Sequence, residues 1–291
     1  MRLAVIFNGS RPDTVGYYIV RACQALGIAA QAYGLDQLRT VPAEYDAYLR
    51  IDHGDDYDVL WPAALRPRLF FVSDTHVRHS WKKIRRIAAH YDLMCCAQSA
   101  AAARLPNAVW VPFACDPQLH APPDQVLQRY EIVFVGTDGG TPRKFVLQAL
   151  RERCPNSLVG KAPHTAMSAL YSAGKIGFNY SIAHEVNMRV FEVLAARTCL
   201  VTNVLPSAEL AALGLRDGEH LVMYRSEDQL LPALELLLAD ASRRGRIAQA
   251  GFDVVRRRHT YAHRVAQMLQ AAMQRGCLRE QPLPTVGVSA P

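Results

Sequence analysis

Short apolar runs alternate with amphipathic segments along most of this chain. In the first half, apolar runs at 1–7, 30–35, 47–51, 68–74, 92–98 and 108–114 predict strands, and the segments 15–28 and 98–105 predict helices. Strands that are apolar on both sides and separated by helices are typical of a parallel sheet covered on both faces. The first half therefore predicts an α/β domain.

The pattern changes near residue 117. Residues 117–130 are rich in proline and polar side chains, which predicts a linker, and the alternation then restarts. We therefore expect two Rossmann-like, doubly wound parallel-sheet domains that face a cleft, with ligands at the carboxyl ends of the strands. The expected ranges are 1–117 for the first domain, 118–130 for the linker, 131–259 for the second domain, about 260–276 for a last helix that packs back on the first domain, and 281–291 for a flexible tail.

The composition is that of an ordinary globular protein. The 291 residues are 50% hydrophobic and 20% charged, which excludes disordered, collagen-like and coiled-coil classes. The apolar runs fall short of the roughly 20 residues that a membrane span needs, and the N-terminus predicts a strand rather than a signal peptide. The seven cysteines contain no C-x-x-C pair, so neither a disulfide framework nor a zinc site is indicated. We expect a cytoplasmic protein.

Basic residues exceed acidic ones, and the excess is concentrated. The chain has 33 Lys and Arg against 26 Asp and Glu, a net charge of +7, with basic segments at 77–90 and 243–264. A basic surface favours phosphate, nucleic acid or acidic lipid as a partner, and does not choose among them.

The segment that begins at Val77 and ends at Tyr91 (residues 77–91) predicts a basic amphipathic helix. Trp81, Ile84 and Ala88 share one face with Tyr91, and the lysines and arginines lie elsewhere. One interpretation packs the apolar face into the core. The other places the helix in peripheral contact with the inner face of a membrane, which exposure of Trp81 and Ile84 would favour.

The turn V-G-T-D-G-G-T-P-R-K follows a strand of the second domain and opens a helix. Its residues include Gly136, Thr137, Gly139 and Gly140, and then Thr141, Pro142, Arg143 and Lys144. Glycines admit a ligand close to the backbone, Thr141 is suited to the N-cap position, and Pro142 is suited to the first helical position. Free N–H groups beside Arg143 and Lys144 favour a phosphate. The turn matches neither the dinucleotide nor the Walker A pattern, and a solvated basic turn is the alternative.

A second polar feature lies on the helix predicted to follow Asn187, a suitable N-cap. Arg189 and Glu192 stand one turn apart on a helix between two apolar strands. They either pair with each other or face a polar ligand. A carboxylate can accept two hydrogen bonds from a ribose diol, and a guanidinium suits a diphosphate.

Several segments, in the same order, resemble the GT-B glycosyltransferases, close to the group-1 (family-4-like) enzymes and their CgeB-like, spore-maturation-type branch. These segments are YDLMCCAQSAAAARL, AVWVPFACDP, IVFVGTDGGTPRK, NMRVFEVLAARTCLVTN, EHLVMYRSEDQLLPAL and RRRHTYAHRVAQML. The resemblance covers nearly the whole chain. It implies an N-terminal acceptor-side domain and a C-terminal domain that binds a nucleotide-sugar donor.

The resemblance also implies roles for individual residues. Glu192 would hold the ribose of the donor, while Arg189 and the backbone at Asn187 and Met188 would face its diphosphate. Gly136 and Thr137 belong to the phosphate loop, and Arg143 and Lys144 would neutralise the leaving group without a metal. We therefore expect no cofactor and no metal, with a UDP-, GDP- or TDP-linked sugar as co-substrate.

The sequence departs from this family at two places. The retaining enzymes usually carry two glutamates eight positions apart, but His184 stands eight residues before Glu192, with Glu185 beside it. We take Glu185 as a candidate catalytic residue and His184 as a cleft residue, and the stereochemical outcome stays open. The family commonly has glycine where this chain has Arg197.

The acceptor is expected on the N-terminal side. Asp74 and His76 follow a predicted strand, where a base for an acceptor hydroxyl belongs. The alternative is that Asp74 caps the next helix and His76 is simply exposed. Gly9, Ser10 and Arg11 occupy an equivalent strand end. The acids of residues 51–58 (IDHGDDYD) predict a solvated loop rather than a metal site.

The function indicated is therefore metal-independent transfer of a sugar, of hexosyl type, from a nucleotide diphosphate to an acceptor hydroxyl. The acceptor can be a glycan, a lipid-linked molecule or another anionic molecule, and nucleic acid stays open. One alternative is a sugar-nucleotide epimerase on the same architecture. The other is a non-enzymatic basic module that binds nucleic acid or an acidic polymer.

Overall fold

A computed structural model describes residues 1–10, 14–54, 57–59 and 61–287 of the chain. The chain forms two compact units. Met1–Phe113 and Tyr261–Gly287 make up the first unit, and Ala114–Thr260 make up the second. Each unit is built on one parallel β-sheet flanked by helices, so the α/β fold expected from the sequence is confirmed.

The first unit contains a six-stranded sheet of order β2-β1-β3-β4-β5-β6, in which neighbouring strands run parallel. Its strands are β1 (Arg2–Ile6), β2 (Ala29–Tyr33), β3 (Ala47–Ile51), β4 (Arg68–Val72), β5 (Leu93–Cys96) and β6 (Ala108–Trp110). Every residue of β3, β4 and β5 is buried, as expected for central strands covered on both faces. The helices are α1 (Val15–Ala25), α2 (Arg78–Ile87) and α3 (Ser99–Ala102), with α10 (Tyr261–Gln274) at the end of the chain.

The last helix belongs to the first unit. The ring of Tyr261 on α10 lies 5.2 Å from the ring of Tyr18 on α1. The buried Arg264 donates from Nε to the carbonyl oxygen of Pro112, at 2.9 Å. A carbonyl beyond the end of β6 thereby finds a donor on a helix about 150 residues later in the chain.

The second unit contains a five-stranded parallel sheet of order β11-β10-β9-β7-β8. Its strands are β7 (Tyr130–Val135), β8 (Ser157–Gly160), β9 (Gly174–Asn179), β10 (Cys199–Asn203) and β11 (Val222–Tyr224). The helices are α4 (Arg143–Arg153), α5 (Met167–Ser172), α6 (Met188–Ala195), α7 (Ser207–Ala212), α8 (Glu227–Ala239) and α9 (Ala241–Arg258). The central strands β7, β9 and β10 place their carboxyl ends side by side.

The basic helix α2 packs its apolar face into the core of the first unit. Trp81 is 9% exposed and Ile84 is fully buried, in one cluster with Tyr57, Phe70 and Tyr91. This burial agrees with the interpretation in which the apolar face of the segment packs into the core. The exposure of Trp81 and Ile84 that would favour a membrane helix is not observed. Within the described residues, the structure contains no helix with the length and apolar character needed to cross a bilayer.

Candidate functional site

Two arginines from different helices lie against one aromatic ring at the end of β7. The Cζ atom of Arg189, on α6, lies 4.7 Å from the ring centroid of Phe134, and the Cζ atom of Arg143, on α4, lies 5.9 Å from it. Phe134 is fully buried near the end of β7. Two residues separated by 46 positions in the chain thus place their guanidiniums at the carboxyl end of the same strand.

Uncharged oxygens hold both guanidiniums in place. Arg189 donates from Nε to the carbonyl oxygen of Val135 at 3.0 Å, and from an Nη atom to Oδ1 of Asn179 at 3.3 Å. Arg143 donates to the carbonyl oxygen of Asp138 at 3.0 Å and to Oγ1 of Thr137 at 3.3 Å. These contacts orient the two cations without neutralising them.

The surroundings of Arg143 oppose its charge. Arg143 is 9% exposed, and burial lowers the pKa of its guanidinium, with repulsion from Arg189 acting in the same direction. Two cations held together at a partly desolvated loop constitute a site that an anion would stabilise.

Glycines leave room for these side chains. Gly136 has φ +156°, and a Cβ there would collide with Nη2 of Arg189; Gly139 has φ +63°, and a Cβ there would collide with the guanidinium of Arg143. The glycines therefore admit the arginines to the loop, as well as shaping its backbone.

The helix start predicted for this loop is wrong by one residue. We predicted Thr141 as the N-cap and Pro142 as the first helical residue, but α4 begins at Arg143, with Pro142 in the N-cap position. Lys144 is exposed, and its backbone N–H donates to the carbonyl of Gly140. Its side chain is not brought into contact with the arginine pair.

A polar network continues across the neighbouring strand ends. Asn179, at the end of β9, is fully buried and donates from Nδ2 to Oγ1 of Thr202 at 3.0 Å. Its Oδ1 accepts from Arg189 and from Nδ2 of Asn187, the latter at 3.3 Å. Asn187 occupies the N-cap position of α6, as predicted, but its side chain does not cap the helix. The Oδ1 atom of Asn187 is buried and accepts no hydrogen bond from the described residues.

The loop between β9 and α6 is pinned by the end of β10. Asn203, 5% exposed, accepts from the backbone N–H of Ser181 and donates to the carbonyl of Ser181, both at 2.8 Å. The hydroxyl of Ser181 accepts from the backbone N–H of Glu185, also at 2.8 Å. His184 is exposed at φ +52°, with Nδ1 3.1 Å from the carbonyl oxygen of Val204. His184 and Glu185 thus border the ends of β10 and β9, and Arg189 contacts the end of β9 through Asn179.

Glu192 lies on α6 and is 4% exposed. Its charge acts on the buried hydroxyl of Tyr171, whose pKa is raised by burial first, while Arg189 lowers it and Glu192 raises it further. That hydroxyl accepts from the backbone N–H of Val135 at 3.2 Å. Tyr171 and Arg189 therefore meet at the end of β7, and Glu192 lies near enough for its charge to act on the Tyr171 hydroxyl. Met188, partly buried, is the first residue of the same helix.

The departure at Arg197 has a backbone explanation. Arg197 is exposed, has φ +55°, and follows the C-terminal residue of α6 and its cap. The residue after a helix often adopts the left-handed conformation, and glycine is the usual residue there because it adopts that conformation without strain. Here an arginine adopts the conformation.

In the first unit, a buried aspartate organises the ends of β3 and β4. Asp52 is 8% exposed. Its Oδ1 atom accepts hydrogen bonds from the N–H of Gly54 and the hydroxyl of Tyr57. Its Oδ2 atom accepts from the N–H groups of Ser73 and Asp74. The prediction of a solvated loop is therefore wrong for Asp52. The adjacent Asp55 and Asp56 lie outside the described residues. Among the residues that are described, no three His, Cys, Asp or Glu side chains are grouped as around a metal ion.

Asp74 lies half-buried beside Gly54, where a Cβ would stand 2.6 Å from Oδ2 of Asp74. Helix α2 begins four residues later and has Val77 as its N-cap, so Asp74 does not cap it. His76 is exposed. The hydroxyl of Thr75 donates to Oε1 of the buried Gln98 at 2.6 Å. Asp74 and His76 thus follow the carboxyl end of β4, next to the ends of β3 and β5.

Gly9 and Ser10 follow β1 and are exposed. The carbonyl oxygen of Gly9 accepts from the hydroxyl of Tyr17 at 3.2 Å, and the N–H of Ser10 donates to Oδ1 of Asn8 at 3.0 Å. Arg11 lies outside the described residues.

Most of the neutral residues of this site were not predicted from the sequence. Asn179, Ser181, Thr202 and Asn203 all lie at the ends of predicted strands or follow them directly, and a small polar side chain at the end of an apolar run is a signal that could have identified them. Asp52 carried the same signal.

The site lies within the part of the chain that matches a known family. Residues 128–270 match a family model described as "Glycosyl transferase-like". A search of curated protein sequences finds no significant match.

Solved structures resemble nearly the whole chain. A sucrose-phosphate synthase from Thermosynechococcus elongatus aligns with a TM-score of 0.66 at 13% identity, over 94% of this chain and 98% of its own. The HepE protein of Anabaena, solved with UDP and glucose, gives 0.66 at 12%, over 93% and 100%. An alpha-glucosyltransferase solved with UDP and a 13-mer DNA gives 0.65 at 9%, over 93% and 99%.

At these identities the likeness establishes the fold, which is that of the GT-B glycosyltransferases. The family match and the fold together support a GT-B glycosyltransferase. The CgeB-like branch stays a prediction.

Proposed function

We propose that this protein transfers a sugar from a nucleotide-diphosphate sugar to an acceptor hydroxyl without a metal. The observation that carries the proposal is the pair Arg143 and Arg189, held at the ring of Phe134 by uncharged oxygens. Two guanidiniums in this arrangement suit the diphosphate of a donor. Structural neighbours solved with UDP, or with UDP and glucose, support a nucleotide-sugar donor.

The chemistry follows from the same charges. The acceptor oxygen bonds to the anomeric carbon, the bond from that carbon to the diphosphate breaks, and the nucleoside diphosphate leaves with the electron pair. Negative charge grows on the leaving group, and fixed cations stabilise it in the transition state. We assign this role to Arg143 and Arg189. The metal-independent reaction is proposed on this ground.

The other donor contacts are proposed from position. Glu192 would accept from the ribose hydroxyls, with the partly buried Asn187 and Met188 at the start of α6 near the diphosphate. Gly136 and Thr137 form the loop around it. Residues 131–259 are the proposed donor-binding domain, and residues 1–117 the acceptor-side domain, joined by 118–130.

The acceptor proton needs a base. Asp74 and His76 are the proposed candidates on the acceptor side, at the carboxyl end of β4. Gly9, Ser10 and Arg11 are proposed to border the acceptor, and Glu185 and His184 to lie near the transferred sugar, which we propose to be a hexose.

Nucleotide binding by the purified protein tests the donor site. UDP, GDP and TDP are added separately, with and without EDTA, and thermal unfolding is followed. We expect one of them to stabilise the protein by roughly 2.7 kcal/mol at 100 times its dissociation constant, with no change on adding EDTA. Stabilisation by none of the three contradicts the proposal.

Matched variants make the test specific. Arg143→Gln and Arg189→Gln should each weaken binding of that nucleotide at least tenfold, about 1.4 kcal/mol. Arg153→Gln, an exposed residue at the other end of α4, removes the same charge and should leave affinity unchanged. Equal losses in all three variants would assign the effect to overall charge. Analysis of products by NMR separates transfer from epimerisation of the nucleotide sugar.

A further inference from the structure

Helix α2 carries a row of cations that meet no counter-ion among the residues that the structure describes. Arg78, Lys82, Arg85 and Arg86 are exposed, and the ten residues of the helix include no acid. Within the described part of the chain, none of the four makes an ion pair or a side-chain hydrogen bond. With Trp81 they line a surface groove of about 510 Å³. We call these four residues the α2 cation row.

The spacing of these cations works against the helix itself. Arg78 and Lys82 are four residues apart, as are Lys82 and Arg86, and like charges at that spacing destabilise a helix. Arg104, from beyond α3, adds a further cation over the ring of Trp81, 4.9 Å from its centroid. Such a concentration of unpaired positive charge is relieved when an anion binds.

The geometry fits an anion that extends along the helix. At 1.5 Å per residue, the row spans about 12 Å from Arg78 to Arg86, with successive cations about 6, 4.5 and 1.5 Å apart along the axis. It begins four residues after Asp74, at the carboxyl end of β4. A ligand that follows the row therefore has one end beside the proposed acceptor base.

The same helix disfavours a membrane and a stacked single strand. Trp81 and Ile84, which would have to enter a bilayer, are buried in the core. Trp81 in the groove is only 9% exposed, and Arg104 already lies over its ring, which leaves little ring surface on which a base could stack. What remains is contact with a backbone, and a duplex offers the densest row of phosphates, about one charge per 1.7 Å of axis.

We propose that the α2 cation row binds the phosphate backbone of a nucleic-acid duplex that carries the acceptor hydroxyl. This inference rests on the proposed function, because it names the class of acceptor. Contacts to phosphate position a duplex without reading its sequence. The row would thus hold the duplex while the residues after β4 meet the hydroxyl.

The test measures binding of a fluorescently labelled DNA duplex of about 20 base pairs, as a function of salt, by anisotropy. The row variant combines Arg78→Gln, Lys82→Gln and Arg85→Gln. The matched control combines Arg243→Gln, Arg246→Gln and Arg257→Gln, which removes the same charge from exposed positions of α9. The UDP, GDP and TDP thermal shifts are recorded for all three proteins.

We expect the row variant to bind the duplex at least about tenfold more weakly and to reduce the slope of log K against log salt by about 2.7, or 0.9 per lost phosphate contact. The control should stay within about threefold of the unmodified protein, and nucleotide shifts should be unchanged in every variant.

Three results would overturn the proposal: no duplex binding by the unmodified protein, equal losses in the row and control variants, or row-dependent binding to phosphatidylglycerol vesicles that exceeds binding to the duplex. The nucleotide shifts keep the two proposals apart. A normal nucleotide shift without duplex binding contradicts only the proposal that a duplex carries the acceptor. An absent nucleotide shift contradicts the proposed donor site.

Discussion

The guanidinium of Arg189 occupies the space in which a Cβ at Gly136 would stand. The absence of a side chain at one residue is therefore what lets another residue, 53 positions later, reach the end of β7 and contact Val135. Donor affinity should depend on this glycine although it contributes no side chain of its own.

Gly136→Ala should displace Arg189 and weaken nucleotide binding at least tenfold, about 1.4 kcal/mol. The measurement is isothermal titration with the nucleotide that stabilises the unmodified protein. Gly245→Ala is the control, because a Cβ there meets no atom within 4 Å and the residue lies in the exposed part of α9. That change should leave affinity intact and add about 0.5–1 kcal/mol of stability. Unchanged affinity in Gly136→Ala would show that Arg189 can move without consequence.

Asn203→Ala should destabilise the protein by about 1–3 kcal/mol, because the N–H and C=O of the buried Ser181 lose their partner. Urea unfolding gives the free energy of unfolding. Asn156→Ala, an exposed asparagine with one hydrogen bond, should cost about 0.5 kcal/mol or less. Comparable losses in the two variants would argue against the pinned loop.

Arg197→Gly should raise the free energy of unfolding by about 0.5–1 kcal/mol, because Arg197 holds φ +55° at the end of α6. The control is Arg197→Ala, which removes the same charge but retains a Cβ. If both variants gain equally, the gain comes from charge and not from the backbone.

Asp74→Asn and His76→Gln address the acceptor base. If either residue takes the proton, its variant should lower the rate of transfer, or of donor hydrolysis, about 10²- to 10⁴-fold. The nucleotide thermal shift should not change, since neither residue is among the proposed donor contacts. His90→Gln, at an exposed position beyond α2, is the matched control. Full activity in both variants would exclude this pair.

His220 should make stability depend on pH. Burial lowers the pKa of its imidazole, and Nδ1 accepts from the backbone N–H of Arg216 at 3.1 Å. The unfolded state therefore binds a proton more readily than the folded state, so stability falls as the pH drops below about 6.5. Urea unfolding at about pH 7.5 and about pH 5.5 should show a smaller loss for His220→Asn than for the unmodified protein. Equal losses would assign the dependence to other groups.

The sheets could be predicted because burial on both faces leaves a strong signal in sequence. All of β3, β4 and β5 is buried, and their sequences are nearly continuous apolar runs. The charged residues of the candidate site could also be identified from the sequence, since Arg189 and Glu192 are polar positions on a helix between apolar strands. Lys144 was grouped with Arg143 from adjacency alone, yet adjacent helical residues point in different directions.

The neutral residues of the site could be identified only from the three-dimensional structure. The contacts of Asn179, Thr202 and Asn203 depend on how the strands pair. Asn179 lies opposite Thr202 because β9 and β10 are neighbours in this register. Nothing in the local sequence reports which strands are neighbours. Asp52 was misjudged for the same reason, because two of its donors come from the following strand's loop. The start of α4 differed from prediction because the chain enters the helix at Pro142 rather than Thr141.

Asp52 joins the loop after β3 to the loop after β4 through a single carboxylate. Attempts to retarget the enzyme to a new acceptor will naturally exchange these loops, since they border the candidate base. A graft of one loop alone would break hydrogen bonds that belong to the other. Libraries built with Asp52 and Ser73 fixed, and diversified from residue 75 onward, should therefore yield more folded members than exchanges of either loop by itself.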